Sequence, residues 1–296
     1  MKCKRTRTAL LLAVGCLLVA PAATLAQDDA EEDQLGWSNV TDLSLVITDG
    51  NSSTETFGFN NLFRYNWNRA RYTFRIDAVR SNTADDPIAV LREGSETEYD
   101  VLTFDKTLNV ENYYVENRYD RSIAERLFWN VGLTWDRNKD AGILSRWIAF
   151  AGIGNIWWDR DDLKFNTTYG LSYTSREEED GDPTKDDTFP GFRFNWEYLN
   201  QWGKVTTFES GWTFNYNFSN STDWNSDMTN SIRVDINSRL ALRVSLRWLY
   251  NNLPALQDID LFFRDENGNL IGLPTDVQEP KEKLDTIFST SLVVKL

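Results

Sequence analysis

Apolar and polar side chains alternate with a period of two residues along most of this chain. In residues 57–67, five of the six odd-numbered positions are aromatic, and the positions between them are mostly polar. Residues 240–250 show the same alternation, with apolar side chains at every even-numbered position. Because successive side chains of a β-strand point to opposite faces, each segment predicts a strand with one apolar and one mostly polar face. A tilted strand of about 9–11 residues crosses a bilayer, so both segments predict membrane-spanning strands.

Twelve segments carry this pattern. They are residues 37–48, 54–68, 70–80, 103–119, 124–137, 144–158, 162–175, 188–200, 204–218, 226–237, 240–251 and 283–296. Short connections follow the even-numbered segments, and longer ones, at residues 81–102, 176–187, 219–225 and 252–282, mostly follow the odd-numbered segments. This asymmetry and an even strand number are typical of bacterial outer-membrane barrels. The sequence therefore predicts an all-β fold, a transmembrane antiparallel up-and-down β-barrel of about 12 strands over residues 37–296, with both chain ends in the periplasm.

The positions of tryptophan favour a membrane barrel over a soluble sandwich, which would turn the same apolar faces into a core. Under the predicted alternation, one group lies near the turn end, Trp37, Trp67, Trp129, Trp158 and Trp202, and another near the loop end, Trp135, Trp147, Trp224 and Trp248. Two aromatic levels separated by aliphatic residues are the pattern of interfacial girdles.

The first 26 residues predict a cleavable signal peptide. Basic residues at positions 2, 4, 5 and 7 precede an apolar run over residues 9–22, and Thr24-Leu25-Ala26 supplies the cleavage site. Lipid attachment at Cys16 is a weaker alternative, because the apolar run continues beyond it. Residues 27–36 are predicted to form an acidic, flexible N-terminus. A signal peptide before a spanning barrel predicts the outer membrane of a Gram-negative bacterium as the location.

Composition narrows the partners and the redox chemistry. Both cysteines, Cys3 and Cys16, lie in the leader, so the mature chain is predicted to contain no thiol or disulfide. Removing the leader leaves 27 basic and 45 acidic residues, a net charge of −18, which excludes nucleic acid as a partner. The expected partners are outer-membrane lipid, lipopolysaccharide and, during assembly, the barrel-insertion machinery. The sequence identifies no specific protein partner.

The chain contains no histidine, which excludes a Ser-His-Asp site and a His-ligated metal. A hydrolase using paired carboxylates stays formally possible, but no spacing singles out such a pair. We therefore expect a protein that is not an enzyme, without catalytic residues, cofactor or metal site.

Ionisable residues of both signs alternate onto the predicted lumen face. The leading candidates are Arg64, Arg75, Asp77, Arg193, Glu197, Glu209, Arg233, Asp235, Arg243 and Arg247, with Glu116, Arg118, Asp136, Lys164, Lys283 and Asp285 as further members. One interpretation is a lattice of salt bridges that fills the barrel, since buried charges need partners. The other is a narrow, charge-lined pore whose charges set ion preference. Twelve strands fall between the ~8 that side chains fill and the ~16 that leave an open channel.

Several short motifs resemble a known family. They are Asp49-Gly50-Asn51-Ser52-Ser53-Thr54, Asp120-Arg121, residues 127–136, Gly152-Ile153-Gly154 with Trp157, and Gly170-Leu171-Ser172-Tyr173. In this order they resemble the domain of unknown function 481 family, whose members are often labelled salt-induced outer membrane proteins. The resemblance covers about residues 37–296 and implies an outer-membrane barrel without an assigned reaction. One departure is the final residue, Leu296, where such barrels usually end in an aromatic side chain.

Three hypotheses about function follow. The first is a non-enzymatic outer-membrane barrel, for which the family resemblance implies a role in envelope integrity or osmotic and salt adaptation. The second is a narrow ion or small-solute channel with a mixed-charge lumen, and the third is a soluble periplasmic binding barrel. The sequence also predicts a hairpin in residues 252–282 with a turn at Asn267-Gly268, expected as a solvent-exposed extension of the eleventh and twelfth strands. Whether this hairpin plugs the barrel or projects outwards stays open.

Overall fold

The computed structural model describes residues 35–49, 54–81, 88–91, 98–102, 110–180, 182, 185–264, 268 and 270–296. The predicted signal peptide and residues 27–34 lie outside this part of the chain. Nowhere in the described ranges does a helix reach the length and apolarity required to span a membrane.

The described residues form sixteen strands. They are β1 (Gly36–Asp49), β2 (Thr54–Trp67), β3 (Ala70–Ser81), β4 (Ile88–Leu91), β5 (Tyr99–Leu102), β6 (Val110–Ala124), β7 (Leu127–Asn138), β8 (Ile143–Asp159), β9 (Leu163–Glu178), β10 (Thr188–Trp202), β11 (Thr206–Asn217), β12 (Trp224–Asp235), β13 (Leu240–Asn251), β14 (Leu256–Arg264), β15 (Leu270–Pro280) and β16 (Leu284–Lys295).

Twelve of these strands close into an antiparallel barrel in the order β1-β16-β13-β12-β11-β10-β9-β8-β7-β6-β3-β2. The last strand closes it, because β16 pairs with β1 on one side and β13 on the other. The predicted fold class and strand number are confirmed. The fourth predicted strand begins later than expected, at Val110, and residues 103–109 lie outside the described residues.

Alternation separates an apolar outer face from a polar lumen. Leu43 on β1 lies opposite Phe59 on β2, and their exposures of 55% and 41% place both on the outside. The neighbouring residue Asp42 is only 6% exposed and lies opposite Asn60, on the inner face. A strand with a solvated lumen on one side and apolar surroundings on the other needs this period of two.

Tryptophan is not confined to two levels of the outer face. Trp67 and Trp202 lie at the turn end and Trp147 near the loop end, all well exposed. Trp196 and Trp212, however, stand opposite each other near the middle of β10 and β11, with ring centroids 4.9 Å apart. The outer band therefore also contains indole rings between the two predicted girdles.

Two phenylalanine rings on the inner wall pack over glycines of the neighbouring strand. A Cβ atom at Gly132 on β7 would lie 2.3 Å from the ring of Phe150 on β8, which stands opposite it. The arrangement is reciprocal, because a Cβ atom at Gly154 on β8 would lie 2.3 Å from the ring of Phe128 on β7. Both rings occupy wall space, so they leave the lumen beside β7 and β8 open to longer polar side chains.

The two longest connections build a second sheet, in the order β15-β14-β4-β5. The hairpin of β14 and β15 is confirmed, and Gly268 in its turn has a φ of +85°. This hairpin continues from the ends of β13 and β16, since the N–H of Asn251 donates to the carbonyl oxygen of Lys283 and the N–H of Lys281 donates to that of Ala255. The sequence did not predict that β14 also pairs in parallel with β4, Leu261 opposite Ala89. Ala89, Ile259 and Leu261 form a small buried core for this loop sheet.

Candidate functional site

Six charged side chains on five strands form a continuous chain of ion pairs toward the turn end of the lumen. In order they are Asp42, Arg243, Glu209, Arg233, Asp235 and Lys295. Arg243 on β13 binds Asp42 on β1 and lies 3.1 Å from Glu209 on β11. Arg233 lies 3.1 Å from Glu209 and 3.5 Å from Asp235. Since β16 separates β1 from β13, and β12 separates β11 from β13, Arg243 joins strands that share no backbone hydrogen bonds.

A second group crosses the lumen. Arg118 on β6 lies 2.7 Å from Asp120 on the same strand and 2.9 Å from Glu197 on β10. Asn166 on β9 donates to the other carboxylate oxygen of Glu197 at 3.4 Å. Three strands, β7, β8 and β9, separate β6 from β10 around the wall. The Arg118–Glu197 pair is therefore a brace across the interior, not a contact along the sheet.

Two more arginines are held by carboxylates on neighbouring strands, in the half of the lumen near the long loops. Arg146 on β8 donates two hydrogen bonds to Asp136 on β7, at 3.0 and 2.9 Å. Arg247 on β13 donates two to Asp227 on β12, at 2.8 and 2.5 Å. Paired hydrogen bonds of this kind fix the guanidinium plane as well as neutralising its charge.

Arg75 and Arg193 are two further lumen arginines that were singled out from the sequence, and their surroundings differ. Arg75 on β3 lies 2.6 Å from Asp77, two residues along the same strand. Arg193 on β10 instead donates to the amide oxygen of Asn215 at 2.8 Å and lies 4.9 Å from the ring centroid of Phe150. Among the described residues, no carboxylate lies within ion-pair distance of Arg193.

The ten leading candidates all lie at lumen-facing positions of the strand alternation. The structure joins Glu209, Arg233, Asp235 and Arg243 in one network and pairs Arg75 with Asp77. Glu197 and Arg247 instead pair with residues outside that group, and the charge of Arg64 acts on Glu197. Asp42, Asp120, Asp227 and Lys295 were absent from the predicted set. The alternation of the sequence places these side chains on the inner face, but only the register between strands shows which residues they contact.

A buried ionic cluster at the barrel rim is also absent from the sequence prediction. Arg176 at the end of β9 lies 2.9 Å from Asp223 in the loop between β11 and β12, and 3.5 Å from Glu178. Lys185, in the loop between β9 and β10, lies 2.8 Å from Glu178 and donates to the carbonyl oxygen of Pro254 at 2.8 Å. All four charged side chains are less than 10% exposed. Arg176, Glu178 and Lys185 are therefore buried contacts of the rim within the long connection over residues 176–187.

A second rim contact carries a titratable group. Lys281, which follows β15, donates to the carbonyl oxygen of Asp140 at 3.1 Å and lies 3.6 Å from Glu179. Burial raises the pKa of the Asp140 carboxyl to about 6, the charge of Lys281 opposes this rise, and Asp285 adds to it. Together with Lys185, Lys281 fastens the base of the β14–β15 hairpin to the loops that follow β7 and β9.

Below this hairpin base, a cavity of about 110 Å³ opens into the lumen between β6–β8 and β10–β13. Arg146, Arg193, Arg247 and Lys283 line it together with Asp136, Asp227, Glu282 and Asp285, so basic and acidic side chains are equal in number. Five asparagines contribute to the same lining. In the described part of the chain, no group of three or more Cys, Asp or Glu side chains is arranged to hold a metal ion.

The chain matches a protein family and several solved barrels. The family model described as "Protein of unknown function, DUF481" matches residues 41–260. No curated protein matches the chain. Among solved structures, the NanC porin in its rhombohedral crystal form is 11% identical with a TM-score of 0.51, and the match covers 86% of this chain and 100% of that one.

Two other solved barrels match at lower structural similarity. The KdgM porin in complex with disordered oligogalacturonate is 7% identical, with a TM-score of 0.43, over 87% of this chain and 99% of that chain. The anion-selective porin from Comamonas acidovorans is 10% identical, with a TM-score of 0.36, over 89% of this chain and 99% of that chain. At 11% identity, the likeness to the NanC porin shows a shared fold.

Proposed function

Because this chain belongs to the DUF481 family and folds as a closed barrel with an apolar exterior, we propose that it is a non-enzymatic outer-membrane barrel with a structural role in the envelope. The apolar outer face suits contact with lipid and lipopolysaccharide, and a closed sheet leaves no unpaired strand edge in the bilayer. A contribution to envelope integrity under osmotic or salt stress is the specific role that this proposal entails.

The observation that carries the proposal is the cross-bracing of the lumen. Arg243 connects β1, β13 and β11, and the Arg118–Glu197 pair spans the interior between β6 and β10. Removing these charges from bulk water has a cost, which the paired geometry offsets. A lumen built in this way resists deformation of the barrel and leaves little free charge to attract a permeating ion.

The location is tested by fractionation. A barrel with an apolar exterior should stay with the outer membrane through salt and alkaline washes and come into solution only with detergent. Recovery of the folded protein in the periplasmic fraction without detergent would favour the soluble binding barrel instead.

The structural role is tested by conductance. The mature protein would be refolded in detergent, its barrel confirmed by a heat-dependent gel shift, and the sample added to a planar bilayer. We expect a quiet baseline, or at most small steps without ion preference. Large discrete steps with a reproducible preference for cations or anions would contradict the structural role.

A narrow channel is the second candidate, and the loop-end cavity favours it. Arg193 faces this cavity without a carboxylate at ion-pair distance within the described residues, so its charge is available to an anion passing through. If the bilayer experiment shows current, Arg193→Gln should reduce the preference for anions. An unchanged preference would remove Arg193 from the conduction path.

A further inference from the structure

The asparagines of the lumen cavity stand on two opposite walls. Asn215, Asn225 and Asn251 occupy successive cross-strand positions on β11, β12 and β13. Asn112 and Asn138 form a cross-strand pair on β6 and β7. In the closed order, β12 lies six strands from β6, and β13 lies six strands from β7. In a ring of twelve, the two groups of amides therefore face each other across the lumen.

Several of these amides retain unused hydrogen-bonding capacity. Asn215 accepts from Arg193 and donates to the side-chain oxygen of Asn225, each at 2.8 Å, which aligns that wall. The side chains of Asn112 and Asn251 form no hydrogen bond with any residue in the described part of the chain. Each primary amide offers two donors and an acceptor oxygen, so both walls present donors and acceptors to whatever fills the space.

The balanced charge of the cavity lining disfavours a strongly ionic ligand. At the cavity wall, Asp136 neutralises the charge of Arg146, and Asp227 neutralises that of Arg247, each through two hydrogen bonds. The lining as a whole carries equal numbers of basic and acidic side chains. An anion beside Arg193 would also face the four carboxylates of the lining, so a charged solute would lose its hydration without gaining a net opposite charge, whereas a neutral polar solute loses less.

The volume of the cavity and the other side chains that line it indicate the size of the ligand. A cavity of about 110 Å³ has room for roughly eight water molecules at about 10–15 Å³ of probe volume each. Tyr114 also lines it from the inner face of β6, and its ring offers an apolar surface beside the amides, whereas the ring of Tyr250 stacks on Trp224 on the outer face, with centroids 5.0 Å apart. Amides, hydroxyls and one aromatic ring around a neutral space suit a compact molecule with many hydroxyl groups and apolar C–H edges.

We propose that the loop-end cavity is a binding site for a neutral polyhydroxylated solute of monosaccharide size, held between the two asparagine walls. The site depends on the barrel fold and not on whether the barrel conducts. It adds a ligand to the lumen, which the structural role alone does not require.

The test measures binding to the refolded mature protein in dodecyldimethylamine oxide, a detergent that carries no sugar. D-glucose is the probe, followed by saturation-transfer NMR, with D-glucuronate and D-glucosamine as its anionic and cationic analogues. We expect a saturable glucose signal, with weaker signals from both charged analogues. A heat-modifiable barrel without a saturable glucose signal would overturn the proposal, and tighter binding of either analogue would overturn the choice of a neutral ligand.

The variant Asn112→Ala with Asn251→Ala removes one amide from each wall. Neither side chain has a hydrogen bond to lose within the described residues, so the fold should survive. Glucose binding should weaken at least about fivefold, the effect of losing one or two net hydrogen bonds. The matched control is Asn130→Ala, a lumen-facing asparagine of β7 outside the cavity, which should bind as the unmodified protein does. Equal binding by the double variant and the control would refute the two-wall site.

A barrel that binds glucose but also conducts in large steps with a reproducible ion preference would contradict the structural role and leave this site intact. A barrel that neither conducts nor binds glucose would overturn the glucose site and leave the structural role intact. The two proposals therefore fail separately.

Discussion

A single methyl group at Gly170 would collide with the neighbouring strand. Its Cβ atom would lie 2.2 Å from the carbonyl oxygen of Ala151 and 2.5 Å from the Cα atom of Gly152, both backbone atoms of β8. Backbone cannot rotate out of the way as a side chain can, so β8 and β9 would have to separate locally.

We therefore expect Gly170→Ala to destabilise the folded barrel by about 1–3 kcal/mol, measured by the urea midpoint of tryptophan fluorescence. The matched control is Gly211→Ala on β11, where the nearest atom to the added Cβ would be 4.0 Å away. If both variants unfold at the same urea concentration, the close approach of β8 and β9 is not a constraint on stability.

Asp140 makes stability depend on pH at the barrel rim. Burial raises the pKa of its carboxyl from 3.8 to about 6, so the folded state binds the proton more tightly than the unfolded chain does. The neutral group's contribution is thus fully present below pH 3.8 and is lost as the pH rises through about 6.

Asp140→Asn should stabilise the barrel at pH 8 by roughly 2 kcal/mol, because partial exposure screens part of the full shift, and should change little at pH 3.5. The measurement is the temperature at which the compact gel band disappears, at both pH values. Asp161→Asn, at an exposed turn on the other end, is the control. A gain of equal size at both pH values would contradict the assigned titration.

For single residues, the sequence predicts the face of the sheet on which a side chain lies better than it predicts the residue with which that side chain pairs. The period of two places Glu209, Arg233 and Arg243 on one face, and the structure agrees. It gives no register between strands, and so Asp42 as the partner of Arg243 was not foreseen. The Arg118–Glu197 ion pair is even harder to predict from the sequence, because it depends on the curvature of five consecutive barrel strands.

Among the elements, the β14–β15 hairpin depends on a buried lysine for its position. Lys185 joins Glu178 to the carbonyl oxygen of Pro254, just before β14 begins. Lys185→Met keeps most of the apolar stem but leaves the Glu178 charge buried with one partner fewer.

We expect this substitution to loosen the hairpin without opening the barrel. Limited proteolysis should cleave within residues 252–283 several times faster, while the heat-dependent gel shift persists. Arg160→Met, which breaks the exposed pair of Arg160 with Asp162, is the control and should leave cleavage unchanged. Unchanged cleavage in Lys185→Met would show that other contacts hold the hairpin.

The loop sheet explains why its strands were predicted only in part. Residues 259–271 contain an apolar run, a glycine turn and a second apolar run, which is enough to predict a hairpin. β4 and β5 contain four residues each, too few for a period to be visible. β4 also finds its partner β14 about 170 residues away, a pairing that no local pattern encodes.

For the whole molecule, ion pairs fill much of the barrel lumen, while a small apolar core lies in the loop sheet. Neutralising Arg243 and Arg247 together leaves Asp42, Glu209 and Asp227 without these counter-charges. We expect Arg243→Met with Arg247→Met to cost about 3 kcal/mol or more of stability, measured by urea unfolding, because breaking a buried pair strands its partner. The double variant of an exposed pair, Arg160→Met with Asp162→Asn, should cost below about 1 kcal/mol.

A stable double variant with altered ion preference in the bilayer would instead identify these arginines as part of a conducting path. The two outcomes separate the bracing function from the channel function in one molecule.

Under the proposed outer-membrane orientation, with the long loops outside the cell, the parallel pairing of β4 with β14 has a consequence for recognition there. It makes one surface from two loops that are distant in sequence, with Val101 and Ile271 exposed on its two edge strands, β5 and β15. A synthetic peptide from either loop would present only half of that surface, without the partner strand that shapes it. Antibodies raised against such peptides should bind the denatured protein and miss the intact cell, whereas antibodies raised against the folded barrel should recognise a discontinuous epitope.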